Sequence, residues 1–300
     1  MYSNAQIKQY LEHISFPYAD HPADPLELLT ELQKRQLERV PFENLSLHYS
    51  PKRELSLDPD DLFHKIVSCG KGGYCLENNN FFGQVLRALG FDCIYASARV
   101  KQPPLDDQTS GWLGWSHLVN LVSINGQRHL VDVGHGSRGP TRPVPLAPDI
   151  IVDDIMGRKL RLEYKTLPQH HDPSQRMWVY SFRENDESPW LESYCFTEIE
   201  SLATDFDMMN YFTMKSPESL FTQNVIAQRF LMDEGKSQLV GSVSLFRDRI
   251  KIDSSTTGFS EEIIKSESER VDAIERWFRI QLDATEKDAI IGSVSEIKVV

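Results

Sequence analysis

The sequence predicts a mixed α+β fold with a helical first third, an antiparallel β unit and a C-terminal stretch of both types. Three observations predict it. Residues 1–90 carry apolar side chains at helical spacing. Between about Phe91 and Glu200, short β-branched and aromatic runs are separated by turn signals. From Asp205 onward both patterns follow one another. The unit boundaries on this reading are 1–90, 91–204 and 205–300. A chain of 300 residues is long for one core, which favours several packed units.

The helical third begins with residues 5–14 and 26–39. In the second stretch Leu26, Leu29, Leu32, Leu37 and Val40 form an approximate stripe. Pro25 stands near its start and Pro41 blocks its continuation. Residues 57–67 read as a short helix. Another runs from about Cys75 to Leu89, with Gly90 placed for a left-handed C-terminal cap. The β unit comprises 94–100, 117–124, 128–133, 160–166 and 177–182, an antiparallel set that a barrel would close. PTRPVPLAP (140–148) reads as an irregular crossover. In the last third a helix begins near Asp205, and strands are expected at Asn224–Phe230, Gln238–Phe246 and Arg249–Ile252. A helix follows from about Ser268 to Ile280, and residues 290–300 read as a tail or short strand.

The net charge of −12 argues against nucleic acid as the main partner. It leaves room for a small anionic ligand in a local basic or amide-lined pocket. No run approaches the roughly 18 apolar residues that cross a bilayer. The N-terminus lacks the charged start and apolar core of a signal peptide, so a cytoplasmic location without membrane attachment is the default. The four cysteines, Cys69, Cys75, Cys93 and Cys195, form no CxxC pair and show no zinc-ligand spacing. They read as free thiols.

One of them stands out. In GKGGYCLENNNFFGQVLRALG (70–90), a loop leads into a helix whose first turn holds Cys75. Cys75, Asn78, Asn79, Phe82, Val85, Leu86 and Leu89 then share one face, so the thiol points inward. A helix N-terminus offers partial positive charge and free N–H groups, which favour a thiolate. Gly72 and Gly73 leave room for a ligand to approach the backbone. A buried structural cysteine after a glycine turn fits the local sequence equally well.

A second segment, WSHLVNLVSINGQRHLVDVGHG (115–136), supplies the partners such a thiol needs. Asn125-Gly126 is a strong hairpin signal. If these two residues form the loop, Ile124 faces Gln127 and Asp132 lies opposite Val119. His117 and Asp132 become diagonal neighbours on one face, with Cα atoms about 7–8 Å apart. A carboxylate beside an imidazole fixes its tautomer and raises its basicity. A histidine so held can take the proton of a thiol. His129 falls on the other face with no acid opposite. Nothing local to these segments brings Cys75 to His117; that requires the fold.

GGYCLENN, SHLVNLV and HLVDVGHG resemble the three catalytic motifs of the arylamine N-acetyltransferases, in their usual order. PFENLSLHY (41–49) and DFDMMNYFTMKSPESLF (205–221) are similar to two further segments of that family. The resemblance extends over nearly the whole chain. It implies a helical bundle, an antiparallel β-barrel and a C-terminal α/β lid, with a papain- or transglutaminase-like catalytic core. It implies Cys75 as nucleophile, His117 as general base and Asp132 as its orienter. The implied reaction moves an acyl group from acetyl-coenzyme A, or another acyl-coenzyme A, to an arylamine or hydrazine through an acyl-cysteine. No permanent cofactor and no metal are implied, and the implied assembly is a monomer or weak homodimer.

The resemblance also implies substrate and coenzyme A contacts at Phe42, Gly114, Ser116, Gly134 and His135, with Phe212 and Ser293 in matching positions further on. Several residues depart from the family pattern. Lys71 replaces the arginine of Arg-Gly-Gly, which puts the bracing of that loop in question. His135 replaces a phenylalanine. Phe212 and Glu218 stand where eukaryotic members have a tyrosine and a threonine. The CLENN wording is similar to a filamentous-fungal branch whose members include malonyl users. A malonyl carboxylate needs a donor or cation, for which Arg138, Arg142 and His135 are candidates. A cysteine hydrolase with the same triad order, and a non-catalytic binding protein on the same fold, are the alternatives.

Overall fold

The computed structural model describes residues 1–106, 110–148, 150–235 and 237–298. Helices dominate the first part: α1 (Asn4–His13), α2 (Pro25–Arg39), α3 (Pro59–Phe63) and α4 (Cys75–Ala88). The side chains of Ser3, Asp24 and Asp58 cap the first three, and Pro25 and Pro59 open α2 and α3. A π-helical turn, His64–Ser68, continues α3. Helix α4 ends as expected. Gly90 has φ +91°, and the N–H groups of Gly90 and Phe91 bond back to the carbonyls of Arg87 and Leu86.

Two details differ from the expected pattern. Leu26 is 38% exposed, and the buried side of α2 instead includes Gln33 and Gln36. Helix α4 is buried on nearly all sides, because it lies between the other helices and the barrel wall; Leu76, Glu77 and Phe81 are as enclosed as Cys75 and Phe82.

Strand β1 (Phe42–Glu43) precedes the main sheet, which contains β2 (Asp92–Lys101), β3 (Trp112–Ile124), β4 (Gln127–Val131) and β5 (Val144–Pro145). It continues through β6 (Ile151–Asp153), β7 (Lys159–Lys165), β8 (Met177–Arg183) and β9 (Leu191–Phe196). All pairings are antiparallel, in the order β5-β4-β3-β2-β9-β8-β7-β6, and the sheet rolls into a nearly closed barrel. Its core includes Val119, Leu121, Leu130, Leu160, Leu162, Tyr180 and Tyr194. The 140–148 crossover contains β5, whose Pro145 sits on a sheet edge where a missing N–H is tolerated. Strand β9 was not among the expected strands. Its last four residues, Ser193 to Phe196, are buried on both faces, so it lacks a two-residue alternation.

The last part holds α5 (Ala203–Lys215), α6 (Leu220–Gln223), β10 (Ile226–Met232), β11 (Leu239–Phe246), β12 (Arg249–Ser254), β13 (Gly258–Ile263), α7 (Glu267–Phe278) and α8 (Ala284–Ala289). A second antiparallel sheet runs β1-β10-β11-β12-β13. Ala273, Ile274 and Phe278 of α7 share a core with Val243 and Leu245. Strand β13 lacks an apolar signature because all six of its residues are exposed. Turns, not a strand, follow α8, and Val299 and Val300 lie outside the described residues. No helix among the described residues is long and apolar enough to cross a membrane. Strand β1 matters most for the site. Pairing Phe42 with Gln228 docks the segment before the Cys75 loop onto the second sheet.

Candidate active site

The Asn125-Gly126 loop sets the geometry. Both residues have positive φ, 50° and 81°, as a tight two-residue hairpin requires. Pairing runs from Ile124↔Gln127 to Asn120↔Val131, the expected register. Asp132 is the next residue, just past β4. His117 Nε2 lies 2.7 Å from Asp132 Oδ2, and both side chains are buried. The second carboxylate oxygen accepts from Asn79 Nδ2 and from the Gly134 N–H, each at 2.8 Å. Burial alone would raise the Asp132 pKa, but the His117 charge and hydrogen bond outweigh it and hold the carboxyl below its ordinary range. Burial alone would lower His117; the charge and hydrogen bond of Asp132, with a further contribution from Cys75, raise it well above its ordinary value.

Cys75 opens α4 and is 5% exposed. Its thiol is 3.6 Å from the Ser116 carbonyl, and its nearness contributes to the upward shift of His117. The ionised Asp132 only accepts, so Nε2 carries the hydrogen and Nδ1 is left for the thiol. Such an arrangement can form a thiolate–imidazolium pair. One turn along α4, Asn79 also bonds the Leu118 carbonyl at 2.7 Å, and its Oδ1 accepts from Val133 N–H at 2.9 Å. The helix that carries the thiol therefore also fixes the carboxylate. The sequence signal for this role is an amide four residues after the cysteine on an otherwise apolar surface.

The glycines before Cys75 serve packing, not ligand access. A Cβ on Gly72 would stand 1.8 Å from the Pro41 carbonyl oxygen, and one on Gly73 would stand 2.5 Å from Glu77 Cβ. Two buried carboxylates grip the same loop. Glu43 accepts from Gly72 N–H at 3.2 Å, and Glu77 accepts from Tyr74 N–H at 3.1 Å. Lys65 Nζ sits between them, 3.3 Å from Glu43 and 2.7 Å from Glu77. Lys71 instead pairs with Glu286 on α8. Bracing of this loop thus falls to Lys65, which no local pattern singles out. Lys65→Met leaves two buried carboxylates without a cation and is expected to destabilise the protein by about 3 kcal/mol in denaturant melts.

The remaining expected contacts divide. Gly134 abuts the thiol's backbone, since a Cβ there would be 2.7 Å from Cys75 Cα. Phe42 packs in the apolar cluster around Cys75. The Ser116 hydroxyl is buried without a partner. The His135 ring packs edge-on to His117 with centroids 5.1 Å apart, and its Nε2 is 2.7 Å from Ser193 Oγ. Gly114 is exposed on β3, with open space where a Cβ would stand. Phe212 is 67% exposed on the outer side of α5. Ser293 contacts Ser295, which reaches His48 Nδ1 at 2.8 Å; His48 Nε2 is 2.9 Å from the Phe221 carbonyl. Arg142 is directed at the Asp153 carbonyl, and the Arg138 guanidinium lies over the Phe182 ring.

Burial, reinforced by the His117 charge, holds His135 down at about 3. Its folded pKa is below its unfolded value of about 6.5, so its contribution is present above that pH and is lost on acidification. His135→Phe is therefore expected to lose less stability than wild type between about pH 6.5 and 4. The gap should grow by up to about 1.4 kcal/mol per pH unit in thermal melts run across that range.

One donor atom from each of His117, Asp132 and His135 lies within 4.8 Å of the others. The hydrogen bonds of His117 to Asp132 and of His135 to Ser193 account for this closeness.

Comparison with known proteins shows the family. The N-acetyltransferase family model matches residues 25–287. The chain is 34% identical to the N-malonyltransferase FDB2 of Fusarium pseudograminearum, over 96% of this chain and 92% of that protein. The structure superposes on the arylamine N-acetyltransferase of Mycobacterium abscessus with a TM-score of 0.81 at 24% identity, covering 97% of this chain and 95% of that one. It superposes on the Mycobacterium marinum arylamine N-acetyltransferase in complex with CoA with a TM-score of 0.78 at 23% identity, covering 97% and 99%. The chain belongs to the arylamine N-acetyltransferase family of enzymes, in its fungal branch.

Proposed function

We propose that this protein transfers an acyl group from an acyl-coenzyme A to an arylamine or hydrazine through an acyl-Cys75 intermediate, and that the acyl group is malonyl. The observation that carries the reading is the buried His117–Asp132 pair, held by Asn79 of the helix that Cys75 opens and by Gly134, which abuts Cys75 Cα. His117 takes the thiol proton and the Cys75 sulfur attacks the thioester carbonyl. The coenzyme A thiolate leaves and takes that proton from His117. A neutral arylamine then attacks the acyl-cysteine. Its proton passes through His117 to the departing Cys75 sulfur, and the enzyme is restored. Asp132 holds the ring in the tautomer that accepts at Nδ1.

Similarity to a protein named N-malonyltransferase supports the malonyl choice, and the CoA complex of the M. marinum protein supports coenzyme A as the carrier. His135, whose ring packs against His117, is the candidate from the sequence that lies at the triad; Arg142 is directed at the Asp153 carbonyl. We read the chain as three units, 1–90, 91–204 and 205–300, with the third as a lid. Four unpaired cysteines support a reducing, cytoplasmic setting. Initial rates with malonyl- and acetyl-coenzyme A at equal concentration and one arylamine test the reading. A higher kcat/KM for malonyl is expected; a strong acetyl preference removes the malonyl assignment.

A further inference from the structure

Resting on that malonyl reading, we propose that the side-chain amide of Gln228 is the seat of the distal carboxylate of the acyl group on Cys75. Gln228 lies on β10, opposite Phe42 of β1 and Ser244 of β11. It is 5% exposed, and its Nε2 is fully buried with no hydrogen-bond partner. Its Oε1 lies 3.2 Å from where a Cβ of Gly136 would stand. Gly136 lies two residues after Gly134 and opens a short 3-10 turn, Gly136–Arg138, and Gly134 abuts Cys75 Cα. Phe42, the cross-strand neighbour of Gln228, packs in the cluster that contains Cys75. The unpaired amide is therefore flanked by Phe42, which packs in the cluster of Cys75, and by the Gly134–Gly136 segment, which abuts Cys75 Cα.

A buried donor without a protein partner is costly in the free protein, and a ligand acceptor that pairs with it gains accordingly. The acyl groups in question differ in that respect. Acetyl ends in a methyl and leaves Nε2 unpaired. Malonyl ends in a carboxylate, which only accepts. A neutral amide suits this position because, unlike an arginine, it can be buried without a counter-charge. A site built to donate to a group discriminates against the analogue that lacks it.

The test compares Gln228→Leu and Gln228→Met with wild type, measuring kcat/KM for malonyl- and acetyl-coenzyme A with one arylamine. Each ratio is taken on one preparation, so a loss of folded enzyme cancels. The malonyl-to-acetyl ratio should fall about tenfold or more in both variants. Gln228→Glu should lower it further by repulsion. If wild type prefers malonyl and both neutral variants keep its ratio, the Gln228 assignment is overturned and the malonyl reading stands. If wild type shows no malonyl preference, both fall.

Discussion

Replacing Cys75 with alanine is expected to lower acyl transfer at least about 1,000-fold with every acyl donor and acceptor. The reason is chemical. His117 would retain its bond to Asp132 but have no thiol to deprotonate, and no covalent intermediate could form. The fold should persist, because the deleted atom is one sulfur in a cluster that keeps Leu47, Tyr74, Leu118 and Phe206. The cost of that small cavity is about 1 kcal/mol. Steady-state rates and thermal melts on the same preparation separate the two effects. Substantial turnover in a folded Cys75→Ala protein would favour a mechanism without acyl-cysteine.

Asp132→Asn should lower kcat by roughly 100- to 10,000-fold with little loss of fold. An asparagine can keep the bonds from Asn79 and the Gly134 N–H by turning its carbonyl oxygen toward them. Its NH2 then faces His117 Nε2, which must become an acceptor. The ring hydrogen moves to Nδ1, the nitrogen left for the thiol, and the base is occupied. The variant also removes the charge that stabilises the imidazolium form of His117. His117 is raised in the wild type, so its stabilising contribution is complete below about pH 6.5 and fades as pH rises through the folded value. The stability gap between wild type and Asp132→Asn should therefore be widest between about pH 4 and 6.5 and shrink in more alkaline solution. Rates and melts across pH check both parts.

Legibility of the site in the sequence follows how local each interaction is. The His117–Asp132 pair can be read from a single hairpin, since Asn125-Gly126 admits one register and the register fixes which side chains meet. The start and end of α4 are equally local, set by the loop before Cys75 and by Gly90 after it. The approach of Cys75 to His117 is not local. It depends on α4 packing across the barrel wall, which family resemblance anticipates and helical periodicity does not. The glycine pair shows the same limit. From sequence its lack of side chains suggests space for a ligand; in the fold Pro41 and Glu77 fill that space. Lys65 and Gln228 are the furthest from view. Each acquires meaning from residues brought in by separate elements, Glu43 and Glu77 for the lysine, and Phe42 and Gly136 for the glutamine.

The most direct measurement is the intact mass of the protein after mixing with malonyl-coenzyme A in the absence of an amine. A single malonyl-sized gain, located on Cys75 by peptide mapping and lost on adding an arylamine, is the expected result. Turnover without any covalent adduct, or the same adduct and its discharge in Cys75→Ala, would contradict the acyl-cysteine mechanism.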